Sequence, residues 1–349
     1  MSVTRRDVLA QFATLALAGC TMSPNSRRRI DALLSRYDGN VPGAAVAIIR
    51  AGVAEQHLLG LANLEARERV IAQTNFRLAS VTKQFTAAAI LLLMEDGALS
   101  LDDRVRTLLP SLPGATDAIT IRHLLTHTSG LIDYEDVIPP TLTSQLRDAD
   151  VLALLNTQDR LYFSPGTSYR YSNSAYALLA LIVAQRSGRS FAEFLRTRVF
   201  EPLNMLGTVA FEEGTSTVLN RAFGYSEENG QWVRTDQSQT SAVLGDGGIY
   251  SSIDDLAKWD AALYDERLLK QSSLALAFAP STHTDAPMID YGFGWRITGE
   301  TLWHSGETIG FRNVIVRYPQ RRLTIMMLTN RNDPEPYATA LDIAKVNIA

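Results

Sequence analysis

Strand-like sequence stands at both ends of this 349-residue chain, and helical sequence fills the middle. Ala44 to Ile49 and Glu55 to Leu61 flank a turn at Ala51-Gly52. Near the other end, Gly292 to Thr298 and Thr301 to His304 read as strands, as do Asn313 to Tyr318 and Leu323 to Thr329 on either side of Pro319 to Arg322. Strands must pair to satisfy their backbone groups, so runs this far apart predict one sheet assembled from both ends with the intervening block inserted as a lobe. Between about Leu99 and Gly245 the pattern is mostly helical: Ile121 to Leu125, Val151 to Leu155, Ala175 to Ala184 and Phe191 to Val199, separated by proline and glycine turns. Three further helices are predicted outside that block. One carries Ile30, Leu33, Leu34 and Tyr37, one runs from Phe85 to Met94 before Gly97, and one follows Ser252 and Asp255, which have capping-box spacing. The chain therefore divides into 30–97 plus 246–349 as an α/β lobe and 98–245 as a helical lobe.

Hydrophobic residues make up 46% and charged residues 20%, enough for a substantial core. A formal net charge of -4 leaves no basic footprint for nucleic acid. Cys20 is the only cysteine, which excludes an internal disulfide framework and a cysteine-based zinc site. Catalysis must come from oxygen and nitrogen groups. Thr4-Arg5-Arg6-Asp7-Val8-Leu9 resembles a twin-arginine export signal, and Leu17-Ala18-Gly19-Cys20 resembles a lipobox whose cysteine is acylated after cleavage. Residues 1–19 are accordingly expected to be a signal peptide and 20–29 a tether. The expected destination is the periplasm or cell envelope of a bacterium, with membrane contact only through the lipid on Cys20.

Ser80 precedes the Phe85 to Met94 helix, and Lys83 lies three residues on, so both side chains emerge on one face of its first turn. A serine hydroxyl becomes a good nucleophile when a neighbour takes its proton, and an amine held neutral can do so. The 25 serines and four lysines of this chain would meet at this spacing by chance only about 0.3 times. Arginine is the usual cation here, and arginine cannot deprotonate, which sets Lys83 apart. Tyr171-Ser172-Asn173 offers a phenol that can relay a proton and an amide that can hold both a lysine and a substrate carbonyl. His304-Ser305-Gly306 stands where a strand is expected to end, a place where these groups could line a cleft.

Together and in this order, the three motifs resemble those of the serine β-lactamase and penicillin-binding protein superfamily, in particular its class C-like branch of esterases and D-aminopeptidases. The likeness extends to His123 through Leu131, Phe163 to Tyr176, Gly247 to Ser251, Tyr291 to Trp295 and His304 to Phe311. The resemblance implies an α+β, β-lactamase/transpeptidase-like fold, an antiparallel sheet flanked by helices with an inserted all-helical lobe and a cleft between. It also implies a serine hydrolase acting through an acyl-enzyme on amide or ester bonds. Ser80 would be the nucleophile, Lys83 its proton acceptor and Tyr171 the shuttle to the leaving group, with Asn173 orienting Lys83 and the substrate. His304, Ser305 and Gly306 would form the third motif, and the backbone N–H groups of Ser80 and Glu307 the oxyanion hole. No metal or organic cofactor is implied, and the partner would be a small-molecule or short-peptide substrate. Penicillin-recognising members usually carry lysine where this chain has His304. A histidine with an ordinary pKa near 6.5 is a weaker clamp for a substrate carboxylate, which favours amides or esters over β-lactams.

Other readings compete. His123 and His127 have the spacing of a zinc site, but Leu124 stands where a metalloprotease would need glutamate, so a packed or hydrogen-bonded pair is the better account. Gly-x-Ser-x-Gly is missing, and Gly245-Asp246-Gly247-Gly248 reads as a tight turn near the cleft. The alternatives to the esterase or D-amino-acid amidase reading are a penicillin-binding-like sensor or scaffold with little turnover, and a true β-lactamase.

Overall fold

The computed structural model describes residues 24–348. The expected signal peptide and Cys20 lie outside the described residues. Residues 24–29, expected as tether, instead begin a helix, Pro24–Leu34, whose first position suits a proline because that N–H needs no partner.

An eight-stranded antiparallel sheet forms the body of the molecule. Its order is Thr282–His283, Asp290–Tyr291, Arg296–Thr298, Thr301–Thr308, Phe311–Tyr318, Leu323–Thr329, Ala44–Arg50 and Val53–Leu59. The amino-terminal strand pairs directly with the carboxyl-terminal one, Ala44 opposite Thr329 and Arg50 opposite Leu323. The two ends of the chain therefore close one sheet. Both faces of its centre are covered, and successive residues of Ala44–Arg50 alternate between two cores: Ala44, Val46 and Ile48 face one, Ala45, Ala47 and Ile49 the other. The helices Pro24–Leu34 and Tyr337–Ile348 close the first core through Ile30, Leu34, Ala340 and Ile343. The second core continues into the helical lobe, with helix Lys83–Glu95 between sheet and lobe. Eleven residues of that helix are buried, which explains why its sequence is apolar all round rather than amphipathic.

The helical reading of 98–245 needs correction after Phe200. Val209–Ala210 joins Ile249–Ser251 and Phe76–Arg77 in a three-stranded sheet, and Tyr225–Glu228 pairs with Gln231–Arg234 in a hairpin. The hairpin turns at Asn229-Gly230, both at positive φ, the conformation that this dipeptide favours. Tyr225 then bonds through its N–H to the Asn330 carbonyl, so this part of the insertion is built onto the α/β lobe. Among the described residues no helix is long and apolar enough to cross a membrane.

Candidate active site

The turn that carries Ser80 is fastened on three sides. Leu78 N–H donates to the Ile249 carbonyl at 2.8 Å, and Ile249 N–H donates to Thr82 Oγ1 at 3.3 Å. Thr86 Oγ1 donates to the Gly245 carbonyl at 2.7 Å. Ala79 is held at φ +50, a left-handed conformation that a residue with a Cβ avoids, immediately before Ser80. Ser80 itself sits in a 3₁₀ turn, Ala79–Thr82, that runs into helix Lys83–Glu95. The strand Thr301–Thr308 presses against this turn, since a Cβ on Gly306 would lie 2.1 Å from the Leu78 carbonyl oxygen and 3.3 Å from the Ser80 nitrogen. Only glycine permits that approach.

Lys83 is completely buried, and its ammonium donors have three acceptors: Ser80 Oγ at 3.1 Å, Asn173 Oδ1 at 2.8 Å and the Asp246 carbonyl at 2.9 Å. Burial pushes its pKa well below the ordinary value; Asp246, Asp133 and Glu135 pull it back up, and Arg296 pushes it further down. An amine in this setting exchanges a proton with the adjacent hydroxyl far more readily than a surface lysine. The Tyr171 ring lies 4.8 Å from the same nitrogen. Burial raises the Tyr171 pKa, and the nearby Ser80 hydroxyl is the main opposing influence; the buried phenol oxygen has no hydrogen-bond partner. Asn173 begins helix Asn173–Ser187, but Ser172 caps it, accepting from Ala175 N–H at 3.1 Å. The Asn173 amide is thereby free to bridge Lys83 and Glu135 Oε1, the latter at 3.0 Å.

The third motif lies inside strand Thr301–Thr308 rather than at its end. Glu307 faces the cleft with Ser80, Glu135 and Asn173. His304 is 1% exposed and both ring nitrogens are engaged: Nδ1 lies 2.6 Å from the Ser305 carbonyl and Nε2 3.0 Å from Tyr291 Oη. A carbonyl can only accept, so Nδ1 carries the proton and Nε2 receives the Tyr291 hydroxyl. Burial, Arg296 and Lys83 all push the His304 pKa well down. This imidazole is therefore neutral, with both ring nitrogens engaged inside the fold.

A protein-family model described as "Beta-lactamase" matches residues 27–349. The chain belongs to the β-lactamase family. It is 31% identical over 343 residues to penicillin-binding protein 4* of Bacillus subtilis (strain 168), covering 92% of this chain and 75% of that one. It is 31% identical over 325 residues to a D-aminopeptidase of Gluconobacter oxydans (strain 621H), covering 90% of this chain and 60% of that relative's length. The octameric penicillin-binding protein homologue of Pyrococcus abyssi superposes with a TM-score of 0.80 at 27% identity, over 92% of this chain and 77% of that one. This chain is thus a serine hydrolase-like member of the β-lactamase family, with the family's antiparallel sheet and helices.

Four participants escaped the sequence reading. Asp246 supplies a carbonyl to Lys83 while its buried carboxylate accepts from Tyr134 Oη at 3.0 Å. Asp133 accepts from the N–H groups of Asn173 and Glu135, which sets Glu135 at the cleft. Arg296 is half-buried, stands 5.5 Å from the Tyr171 ring, and its buried Nε has no hydrogen-bond partner. The Gly245-Asp246-Gly247-Gly248 run was the only local signal, and it marked a turn rather than a lysine partner. His123 and His127 do not share a helix face: His127 lies past the end of helix Ile121–Leu125 at φ +58, and no metal-ligand cluster occurs among the described residues.

Proposed function

We propose that the protein is an exported serine hydrolase that cleaves amide or ester bonds of small molecules or short peptides through an acyl-enzyme on Ser80. The observation that carries this reading is the position of Lys83 Nζ, buried and 3.1 Å from Ser80 Oγ. Neutral Lys83 takes the hydroxyl proton as Ser80 Oγ bonds to the substrate carbonyl carbon. The backbone N–H groups of Ser80 and Glu307 receive the resulting oxyanion. Collapse breaks the bond to the leaving group, which takes a proton passed from Lys83 through Tyr171. Water then attacks the acyl carbon, giving its proton to the same pair and releasing the acid and free Ser80. Glu135, beside Ser80 in the cleft, favours substrates that carry an amino group, in keeping with the D-aminopeptidase relative. Export and a lipid on Cys20 rest on the twin arginines and the lipobox.

A fluorophosphonate probe should label the peptide containing Ser80, and Ser80→Ala should abolish both labelling and turnover of p-nitrophenyl esters and D-amino-acid amides. Labelling of another serine in that variant would refute the assignment. A single stoichiometric burst without turnover would favour a sensor. When the full sequence is expressed in a bacterium, the membranes should hold the processed protein with a lipid mass on Cys20; a soluble, unlipidated product would reject the anchor.

A further inference from the structure

His127 is singled out by the sequence, yet the reaction outlined above makes no use of it. It is fully buried, and it holds the chain on both sides of Tyr171. Its carbonyl accepts from Arg170 N–H at 3.0 Å, and its ring Nδ1 accepts from Ser172 N–H at 3.1 Å. Between these two bonds its ring lies against the Tyr171 ring, with centroids 4.3 Å apart and planes inclined by 36°. The residue that would move if either bond broke is therefore Tyr171, whose hydroxyl must meet Ser80 and a leaving group.

The backbone conformation completes the clamp. At φ +58, His127 leaves the helix direction, so its carbonyl and its ring address the same strand of chain. Because Nδ1 receives a backbone N–H, it must carry a lone pair, and the ring is neutral with its proton on Nε2. Burial together with Lys83, His304 and Arg296 favours the same neutral state. That Nε2 is buried and has no hydrogen-bond partner; the Tyr176 and Tyr291 rings pack against the imidazole, with ring centroids 5.1 and 4.6 Å from its own. Nothing else in the surroundings asks for an imidazole, so the acceptor at Nδ1 is what distinguishes histidine from any other flat ring here.

We propose that His127 is a positioning residue for proton transfer, acting through its Nδ1 bond to Ser172 to hold the Tyr171 hydroxyl in register with Ser80. This inference rests on the proposed role of Tyr171. Two substitutions separate acceptor from ring. His127→Asn keeps an acceptor where Nδ1 stands and tolerates a positive φ, but removes the ring. His127→Phe keeps the ring and its packing but leaves the Ser172 N–H without a partner.

Steady-state kinetics on a p-nitrophenyl ester should show kcat lowered about tenfold or more in His127→Phe with KM nearly unchanged, and a smaller loss in His127→Asn. The same His127→Phe change made in a Tyr171→Phe background should cost less than about threefold, because the hydroxyl it positions is already absent. Thermal unfolding identifies folded variants, and if one of the two singles does not fold, the comparison of the other with its Tyr171→Phe double still decides. Equal kcat in wild type and His127→Phe, a larger loss in His127→Asn than in His127→Phe, or multiplying losses in the double variant would overturn the inference. If Tyr171→Phe alone were harmless, the catalytic reading of Tyr171 would fail first. A damaging Tyr171→Phe beside a harmless His127→Phe would reject only the positioning role.

Discussion

Lys83 Nζ lies 2.9 Å from the backbone carbonyl of Asp246, while the carboxylate of the same aspartate faces the Tyr134 hydroxyl at 3.0 Å. One residue thus touches the lysine through its backbone and acts on it electrostatically through its side chain. Burial lowers the Lys83 pKa, and the Asp246 charge partly restores it. Burial also raises the Asp246 pKa, against the charge of Lys83.

In the proposed reaction the general base is neutral Lys83, so activity should rise with pH as the ammonium loses its proton. Asp246→Asn removes the charge that favours the ammonium, which lowers the lysine pKa and moves the rising limb of kcat/KM to lower pH. Pre-steady-state acylation of Ser80 across pH 5 to 10, a range set roughly by the ordinary lysine and histidine values, checks the direction. A limb that moves to higher pH would contradict this coupling.

Lys83→Arg keeps the positive charge but cannot give up its proton at neutral pH. It should be nearly as inactive as Lys83→Ala, with kcat down at least about a hundredfold in each. Turnover assays on purified protein, with fluorophosphonate labelling rate as a second readout, test this. Substantial activity in Lys83→Arg would remove lysine from the base role.

Arg296 is the half-buried cation beside Tyr171, and it lowers the Lys83 pKa from a distance. Arg296→Met should weaken carboxylate-bearing substrates by about tenfold relative to an uncharged ester, because a charge-assisted contact is lost only with the former. The same change should move the rising pH limb upward, so the comparison belongs above that limb. Equal losses on both substrates would mean that Arg296 does not meet the substrate's charge.

Gly306→Ala puts a methyl group 2.1 Å from the Leu78 carbonyl, in a wall of backbone that cannot rotate away. The strand and the Ser80 turn must part, and the N–H groups of Ser80 and Glu307 part with them. Catalysis should fall by about a hundredfold or more if those two groups hold the oxyanion. Crystallography of the variant with a phosphonate adduct, beside kcat, would reveal whether the separation occurs.

Far from the cleft, Arg317 and Asp260 form a buried pair, Nε to Oδ1 2.6 Å, and Thr324 Oγ1 donates to the same oxygen at 2.8 Å. Asp260→Ala leaves a buried guanidinium uncompensated and should cost about 3–5 kcal/mol of stability in denaturant unfolding. The folded fraction should keep normal kcat, since none of these groups reaches Ser80.

Much of the frame was legible in the sequence because it is set by near neighbours along the chain. The near-continuous apolar run along Ala44–Arg50 and the apolar text of Leu323–Thr329 marked strands, and the apolar run after Lys83 marked a helix. The Ser80–Lys83 pair was equally readable, because three residues is one helical turn wherever the helix lies. By contrast, the strand text after Thr301 did not disclose that it continues past His304, since a strand through Ser305-Gly306-Glu307 gains its partner only from Phe311–Tyr318. The hairpin at Tyr225 was not resolved within a block whose pattern is mostly helical, although its Asn229-Gly230 turn is a hairpin signal.

Sequence by itself determined which groups could react: a serine, a rare lysine at one helical turn, a tyrosine, an asparagine and a glycine that permits close approach. Tertiary structure alone decided their protonation and their access. Asn173 and Asp246 reach Lys83 across 90 and 163 residues of chain, and their bonds exist only when helix, loop and turn pack together. The same packing buries His304 against Tyr291 and leaves Arg296 half-exposed. Burial and the field of distant charges set a pKa, and neither is a property of local spacing.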